Sequence, residues 1–224
     1  LHTHDTSGAG IATLLAATEA GVDIVDCAMD SFSGGTSQPC LGSFVESLKN
    51  TKRVPNLNIE EIRDISNYWL SVRKQYMAFD EGINFPASEV YLHEMPGGQF
   101  TNLLAQAKSL GLENKWPEIA KTYSEVNKIF GDIVKVTPSS KVVGDMALMM
   151  VAQGISKEQV ESPNTEIIFP ESVIDMLKGN LGQPPGGFPK NIIKKAIGKD
   201  KFIRERPGAK IKQKSLLNIR KKAC

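Results

Sequence analysis

The sequence contains no run approaching the ~18 consecutive apolar residues that a membrane-spanning helix requires, so no such helix is expected in this chain. Cysteine is scarce: Cys27, Cys40 and Cys224 form an odd, widely spaced set. Such a set is not a disulfide framework, and it predicts unpaired thiols in a reducing compartment. The start lacks an initiator Met, a charged leader and a polar tail, and no signal peptide begins Leu1-His2-Thr3-His4. Internal repeats and low-complexity segments are missing as well. Because the densest cluster of potential ligands occupies the first four residues, the chain is expected to be cut from a longer one.

What is present is ordinary in bulk. The 224 residues are 41% hydrophobic and 23% charged, which excludes intrinsic disorder and collagen-like composition. At roughly 150 residues per domain, this is one large domain or two small ones. The formal net charge of +2 hides an asymmetry: the end from Lys190 to Cys224 is strongly basic and the remainder is acidic. A basic tail on an acidic body suits either a solvated, partly disordered end or a nucleic-acid or membrane contact. The tail has no aromatic beyond Phe202 for base stacking and no nucleic-acid motif, which favours the solvated end.

Along the chain, residues 1–5 read as the end of a strand running into a loop. An Ala- and Leu-rich helix follows over Ile11–Ala20, closed by Gly21. The β-branched run Val22–Ala28 reads as a second strand, and Ser31–Gln38 as a Ser- and Gly-rich loop. Strand, helix and strand at this spacing make a βαβ unit with its loops on one face. A helix is expected near Leu41–Lys49. Asn58 with Glu61 three residues on predicts a capping box opening a long helix to about Phe79. Its apolar positions Ile62, Ile65, Trp69, Val72 and Tyr76 recur at helical steps and are expected to pack in a core. Glu89–Leu92 reads as a short strand. Helices then dominate, at about 99–110, 117–130, 139–153, 170–179 and 189–197. The fold class is α/β: the C-terminal part of a TIM-type (β/α)8 barrel followed by a mostly helical domain. The expected division is 1–108, 109–208 and a basic tail over 209–224, expected to be disordered.

His2 and His4 lie two apart on a presumed strand, so their side chains project to one face. Two imidazoles at the C-terminal end of a barrel strand are placed to bind one divalent cation, and Asp5, Thr6 and Ser7 add polar support. Two ligands do not complete a zinc or manganese site, so the others are expected from strands before Leu1. Asp26, Asp30 and the loop Ser31–Pro39 sit at the end of the next strand, and the loop is either a flexible βα connection or a ligand-facing one. Met95-Pro96-Gly97-Gly98-Gln99 poses the same choice, while His93 reads as a structural histidine. In Val134–Lys141 a strand-like run meets hydroxyl residues. Either Ser139 or Ser140 is a helix N-cap, or Thr137 is a hydroxyl that donates and accepts at once, as proton relay requires.

Four blocks now stand in one order: Leu1-His2-Thr3-His4-Asp5-Thr6-Ser7-Gly8, Gly35-Thr36-Ser37-Gln38-Pro39, His93-Glu94-Met95-Pro96-Gly97-Gly98-Gln99 and Val136-Thr137-Pro138-Ser139-Ser140-Lys141. With Asn67-Tyr68-Trp69 and Gln183-Pro184-Pro185-Gly186-Gly187 they resemble the carboxyltransferase region of the pyruvate carboxylase family, from residue 1 to about Gly208. The resemblance implies a biotin-dependent ligase that makes oxaloacetate from pyruvate, bicarbonate and ATP, in anaplerosis and gluconeogenesis. It implies His2 and His4 as ligands of Mn2+ or Zn2+. It implies Thr137 as the pyruvate-side residue that shuttles a proton from the pyruvate methyl to biotin, and Ser140 and Lys141 as biotin contacts. Implied partners are pyruvate, a carboxybiotin carrier domain and an ATP-using domain, both outside this chain, in a homotetramer. A cytoplasmic location is expected, with the mitochondrial matrix as the alternative. Neither a membrane nor a nucleic acid is an implied partner.

One region departs from that pattern. After Arg206-Pro207-Gly208 an acidic, proline-containing linker is expected, yet Ala209–Cys224 is lysine-rich. The alternatives are the carboxyltransferase subunit of an oxaloacetate decarboxylase or transcarboxylase, a metal-dependent acyl-CoA-condensing lyase or synthase, and an inactive remnant or binding module using its basic tail. Gln38 and the long 58–79 helix favour pyruvate carboxylase over the first, and the Val136–Lys141 block argues against the second. Assayed by itself, the chain is expected to be inactive.

Overall fold

The Ala- and Leu-rich segment after the first loop forms α1 (Gly10–Glu19), whose leading N–H is accepted by Asp5 Oδ1 at 2.8 Å. The computed structural model describes residues 1–80, 86–198, 202, 203, 205 and 207–211. The described chain divides into two compact units, Leu1–Ser124 and Glu125–Cys224.

In the first unit, α2 (Leu41–Leu48) opens at Gly42, whose N–H donates to Asp30 Oδ1. Leu14 of α1 joins Phe44 and Leu48 of α2 in a small core, with Ile11, Leu15, Val25 and Cys27 packed against it. Then come α3 (Ile59–Arg73), α4 (Val90–His93), α5 (Gly97–Ser109) and α6 (Trp116–Ile129), the last spanning the division between the units.

The expected strands at 1–5 and 22–28 form no ladder among the described residues, where the one bridge is the parallel pair Ala28–Cys40. They nonetheless lie side by side. The Leu1 amino nitrogen donates to Ile24 O at 2.6 Å, and Asp26 N–H donates back to Leu1 O at 3.0 Å, a parallel pairing pattern. Two bonds are too few to register as a sheet, yet they fix the register of His2 against Asp26.

Four local expectations are corrected. Glu89–Leu92 is not a strand: Tyr91 N–H bonds Ser88 O and Leu92 N–H bonds Glu89 O, closing a helical turn with Leu92 76% exposed. Three apolar residues without a neighbouring strand have no ladder to join. The helix opened by Asn58 stops at Arg73 and tightens into a 3-10 turn over Lys74–Phe79. Asn58 caps it by accepting Glu60 N–H at 3.0 Å, but Glu61 takes the Asn58 side-chain amide and not its backbone N–H. The stripe on this helix is core only at Ile62, which shares the buried face with Ser66; Ile65, Trp69 and Tyr76 are exposed. A full capping box forms between Ser156 and Gln159 at the start of α8 (Lys157–Glu161), where the sequence has the S-x-x-Q pattern.

The second unit is built on α7 (Ser139–Gln153), whose Val142, Val143, Met146, Ala147, Met150 and Val151 are buried. It packs on α9 (Glu171–Lys178), which in turn packs on α10 (Lys190–Ile197). Lys195 of α10 donates from Nζ to Gln159 O, Val160 O and Ser162 O at 2.7–2.8 Å, capping the carbonyl end of α8. Burial pushes the Lys195 pKa below its ordinary value. Met146 is fully enclosed, so Met146→Ala is expected to cost about 2–5 kcal/mol, read as a lower denaturation midpoint in urea.

No helix among the described residues is long and apolar enough to cross a membrane. Of the basic tail expected to be disordered, residues 212–224 lie outside the described residues.

Candidate metal and substrate site

His2 and His4 do share a face. Their Nε2 atoms stand 3.4 Å apart, with ring centroids 5.1 Å apart and the rings nearly perpendicular. Each ring is held by its other nitrogen. His2 Nδ1 donates to Asp26 Oδ2 at 2.9 Å, and His4 Nδ1 donates to the Thr36 carbonyl at 2.6 Å. A carbonyl and a carboxylate only accept, so both Nδ1 atoms carry a proton, and both Nε2 atoms are left to face one another.

Two Nε2 atoms facing one another at this distance can share one cation, either a proton in an N–H···N hydrogen bond or a metal ion. Two nitrogens each ~2.0–2.1 Å from a tetrahedral zinc stand ~3.3–3.4 Å apart, matching the observed spacing. Imidazole nitrogens with a carboxylate or carbonyl behind them are the usual donor set for such an ion. The residues present therefore fit a divalent metal, as two of its ligands. Among the described residues no group of three or more His, Cys, Asp or Glu side chains could hold a metal by itself.

The support for His4 comes from the loop before α2 and the start of α5. Loop 34–38 is closed on itself, Gly34 N–H bonding Gln38 O and Ser37 N–H bonding Gly34 O. Asp5 N–H bonds Ser37 O at 2.8 Å, which draws the His strand onto this loop. The Met95–Gln99 segment is a turn into α5, and Gly97 is its close-approach residue. A Cβ at Gly97 would lie 2.5 Å from His4 Nδ1 and 2.7 Å from Thr36 O, closer than real contacts allow. Loop 33–37 also forms one wall of a cleft of about 590 Å3, with Asp5, Arg73, Tyr76 and Thr101 among its other residues. The Arg73 guanidinium is anchored there on Ser31 O at 2.5 Å and on Asp80 at 3.2 Å.

His93 is structural, as its surroundings in sequence suggested. It is buried, its Nδ1 accepts Met95 N–H at 3.0 Å, and its ring lies 5.5 Å from Phe100. Burial lowers its pKa, against a smaller opposing pull from Glu89.

Cys27, beside the His2 partner Asp26, is half-buried and free. Burial, then Cys40, then Asp26 push its thiol up from 9.0 to about 11. At pH 8 its thiolate fraction is expected to be about 100-fold below that of an ordinary thiol. Peptide-resolved mass spectrometry after brief iodoacetamide treatment should show Cys27 largely unlabelled while the protein is folded and labelled once it is denatured.

The second unit holds the other residues singled out in sequence. Thr137 is exposed in the turn before α7, in a cis Thr137-Pro138 pair. Ser139 and Ser140 are not N-caps: Pro138 holds that position, without a side-chain cap, and both serines lie inside the helix. Ser139 Oγ instead closes the turn, accepting Val136 N–H at 3.1 Å and standing within 2.6–2.8 Å of the Val136 and Val134 carbonyls. Ser140 is buried, and exposed Lys141 pairs with Asp145 at 2.7 Å, which Ser172 Oγ also reaches at 2.7 Å.

Asp26, Thr36, Gly97 and Thr101 were not assigned to the histidines from sequence. Their roles depend on register and on helix placement, for which neither spacing nor composition carries a signal.

Residues 90–223 match the profile of the conserved carboxylase domain family, and residues 1–68 match that of the HMGL-like family. The chain is 49% identical over 208 residues to the pyruvate carboxylase of Bacillus subtilis, covering 93% of this chain and 18% of that protein. It is 45% identical over 223 residues to the mitochondrial pyruvate carboxylase of mouse, covering 99% of this chain and 19% of that one. The chain thus spans about a fifth of the length of the curated relatives it matches. Among solved structures, the carboxyl transferase domain of Rhizobium etli pyruvate carboxylase superimposes with a TM-score of 0.92 at 60% identity, covering 99% of this chain and 37% of that chain. The same domain with pyruvate and biocytin gives a TM-score of 0.91 at 60% identity, covering 98% of this chain and 37% of that one. The chain belongs to the conserved carboxylase domain family, in the form found in the carboxyltransferase region of pyruvate carboxylases.

Proposed function

We propose that this chain supplies part of the carboxyltransferase site of a pyruvate carboxylase, in which a carboxyl group passes from biotin to pyruvate to give oxaloacetate, with ATP and bicarbonate consumed elsewhere in the protein. The observation that carries this is the pair of convergent Nε2 atoms on His2 and His4, each backed through Nδ1, in a chain of this family. Its remaining metal ligands come from outside the chain. We assign 1–108 to the C-terminal part of a (β/α)8 barrel and 109–208 to the helical domain. The working assembly is a homotetramer, in the cytoplasm or the mitochondrial matrix.

When bound, a divalent ion, Mn2+ or Zn2+, would polarise the pyruvate carbonyl, and biotin would carry the carboxyl group. The chain's own residues hold and move protons. His2 and His4 keep theirs on Nδ1, leaving both Nε2 lone pairs for the ion. Thr137 accepts a proton from the pyruvate methyl at Oγ1 while releasing its own hydroxyl proton to the biotin nitrogen that gives up CO2, and the methyl carbon, freed of its proton, bonds that CO2. Ser140 and Lys141, in the first turn of α7 beside it, orient that ring, with Asp145 holding the Lys141 ammonium in place.

The test is formation of oxaloacetate from pyruvate by the protein that carries this chain. Turnover requiring ATP and bicarbonate and blocked by avidin supports the reading. Avidin-sensitive oxaloacetate decarboxylation with no ATP-dependent synthesis would instead identify a decarboxylase or transcarboxylase subunit.

A further inference from the structure

The two histidines are supported unequally, and from separate stretches of the sequence. His2 donates to a carboxylate, Asp26, on the neighbouring segment. His4 donates to the backbone carbonyl of Thr36, and that residue is itself held. Thr101, one turn into α5, donates from Oγ1 to Thr36 Oγ1 at 2.8 Å, and Gly97 closes over both His4 and Thr36 without room for a side chain. The histidines lie in the part of the chain that matches the HMGL-like family, whereas Gly97 and Thr101 lie in the part that matches the conserved carboxylase domain.

We propose that Asp26, Thr36, Gly97 and Thr101 are positioning residues for the histidine pair, and that the first turn of α5 thereby sets the affinity of the site for a divalent cation. This rests on the reading of His2 and His4 as ligands of one such ion. A ring ligates through Nε2 only as the Nδ1–H tautomer, and only while its plane is held; each partner named here does one or both. Asp26 fixes the His2 tautomer because a carboxylate can only accept. The Thr36 carbonyl does the same for His4, and the Thr101 hydroxyl keeps that carbonyl aimed at the ring. Gly97 lets α5 seat on the pair. A methyl group there must displace either the ring or the helix, because its nearest neighbours would be the ring itself and a backbone oxygen.

The experiment measures Zn2+ and Mn2+ affinity by competition with a chromogenic chelator, in the protein that carries this chain. Asp26→Asn and Gly97→Ala are each expected to weaken binding about 10–100-fold, in the range of lost ligand-supporting contacts. Thr101→Val should weaken it less, and Thr101→Ser, which keeps the hydroxyl, should bind as the unaltered protein does. The second readout is the 15N shift of the His2 and His4 ring nitrogens in metal-free protein. Both rings should be Nδ1–H in the unaltered protein, and Asp26→Asn should shift His2 toward Nε2–H, since the amide can donate to Nδ1. The Asp26 side chain is 55% exposed and its replacement is isosteric, so that variant stays informative even if Gly97→Ala fails to fold. Affinities within twofold of the unaltered protein for Asp26→Asn and Thr101→Val, with unchanged tautomers, would overturn the proposal. An unaltered protein that binds neither ion would overturn the ligand reading, and this inference with it.

Discussion

Under the proposed function, Thr137→Ala in the protein that carries this chain is expected to lower oxaloacetate formation about 10²–10⁴-fold, the range a positioned acid–base group contributes. Biotin-dependent ATP cleavage should stay close to normal. The expectation follows from the relay role proposed for Thr137 and from what a hydroxyl can do. One Oγ1 both accepts and donates, so a proton can leave the pyruvate methyl and another can reach biotin without a charge change on the protein. Alanine removes that relay and nothing else of consequence. The Thr137 side chain is exposed, and the turn that carries it is held by Ser139 through Val134 and Val136. Thr137→Ser should restore most of the rate. Coupled assays for oxaloacetate and for released phosphate on the same preparation separate the two half-reactions; loss of both together would mean that Thr137 does something other than relay the proton.

His4→Ala is the second large effect. It removes one of the two convergent nitrogens and strands the Thr36 carbonyl, which loses its donor at 2.6 Å. Metal affinity should fall by more than the ~100-fold that marks the upper end for loss of a supporting contact, and carboxyl transfer should fall with it. His2→Ala should behave alike, leaving the Asp26 carboxylate without its ring partner. Metal content measured by mass spectrometry after dialysis, set against oxaloacetate formation, shows whether the two losses track each other. Retained metal in either variant would remove that histidine from the ligand set.

Local signals proved legible where one residue's neighbours decide its state. α7 runs from Ser139 to Gln153, the range expected for it, and Gly154 follows in a left-handed conformation, a stop that acts within a few residues. The His-x-His face was legible for the same reason: two residues apart on a strand-like segment fixes the side. Pairing was not. Asp26 reaches His2 only because Leu1 lies against Ile24 and Asp26, a register that depends on tertiary contacts. The Trp69 and Tyr76 stripe misled because a helical apolar period says that a face is available for burial, not that something in this chain covers it. Glu89–Leu92 misled because a run of three apolar residues carries no period, and i to i+3 hydrogen bonds claimed it. Gly97 is conspicuous in sequence as part of a Gly-Gly pair, but its close approach to His4 is set by where the fold seats α5.

The proposed function assigns His2 and His4 as metal ligands and Thr137 as the proton relay of a biotin-dependent carboxyltransferase. Decarboxylation of oxaloacetate to pyruvate, followed without ATP in the protein that carries this chain and with free biotin added, isolates that chemistry from the ATP-using step. Turnover should rise with biotin, fall on removal of the divalent metal, and be lost in both Thr137→Ala and His4→Ala. Decarboxylation indifferent to added biotin, or undiminished in Thr137→Ala, would contradict that assignment.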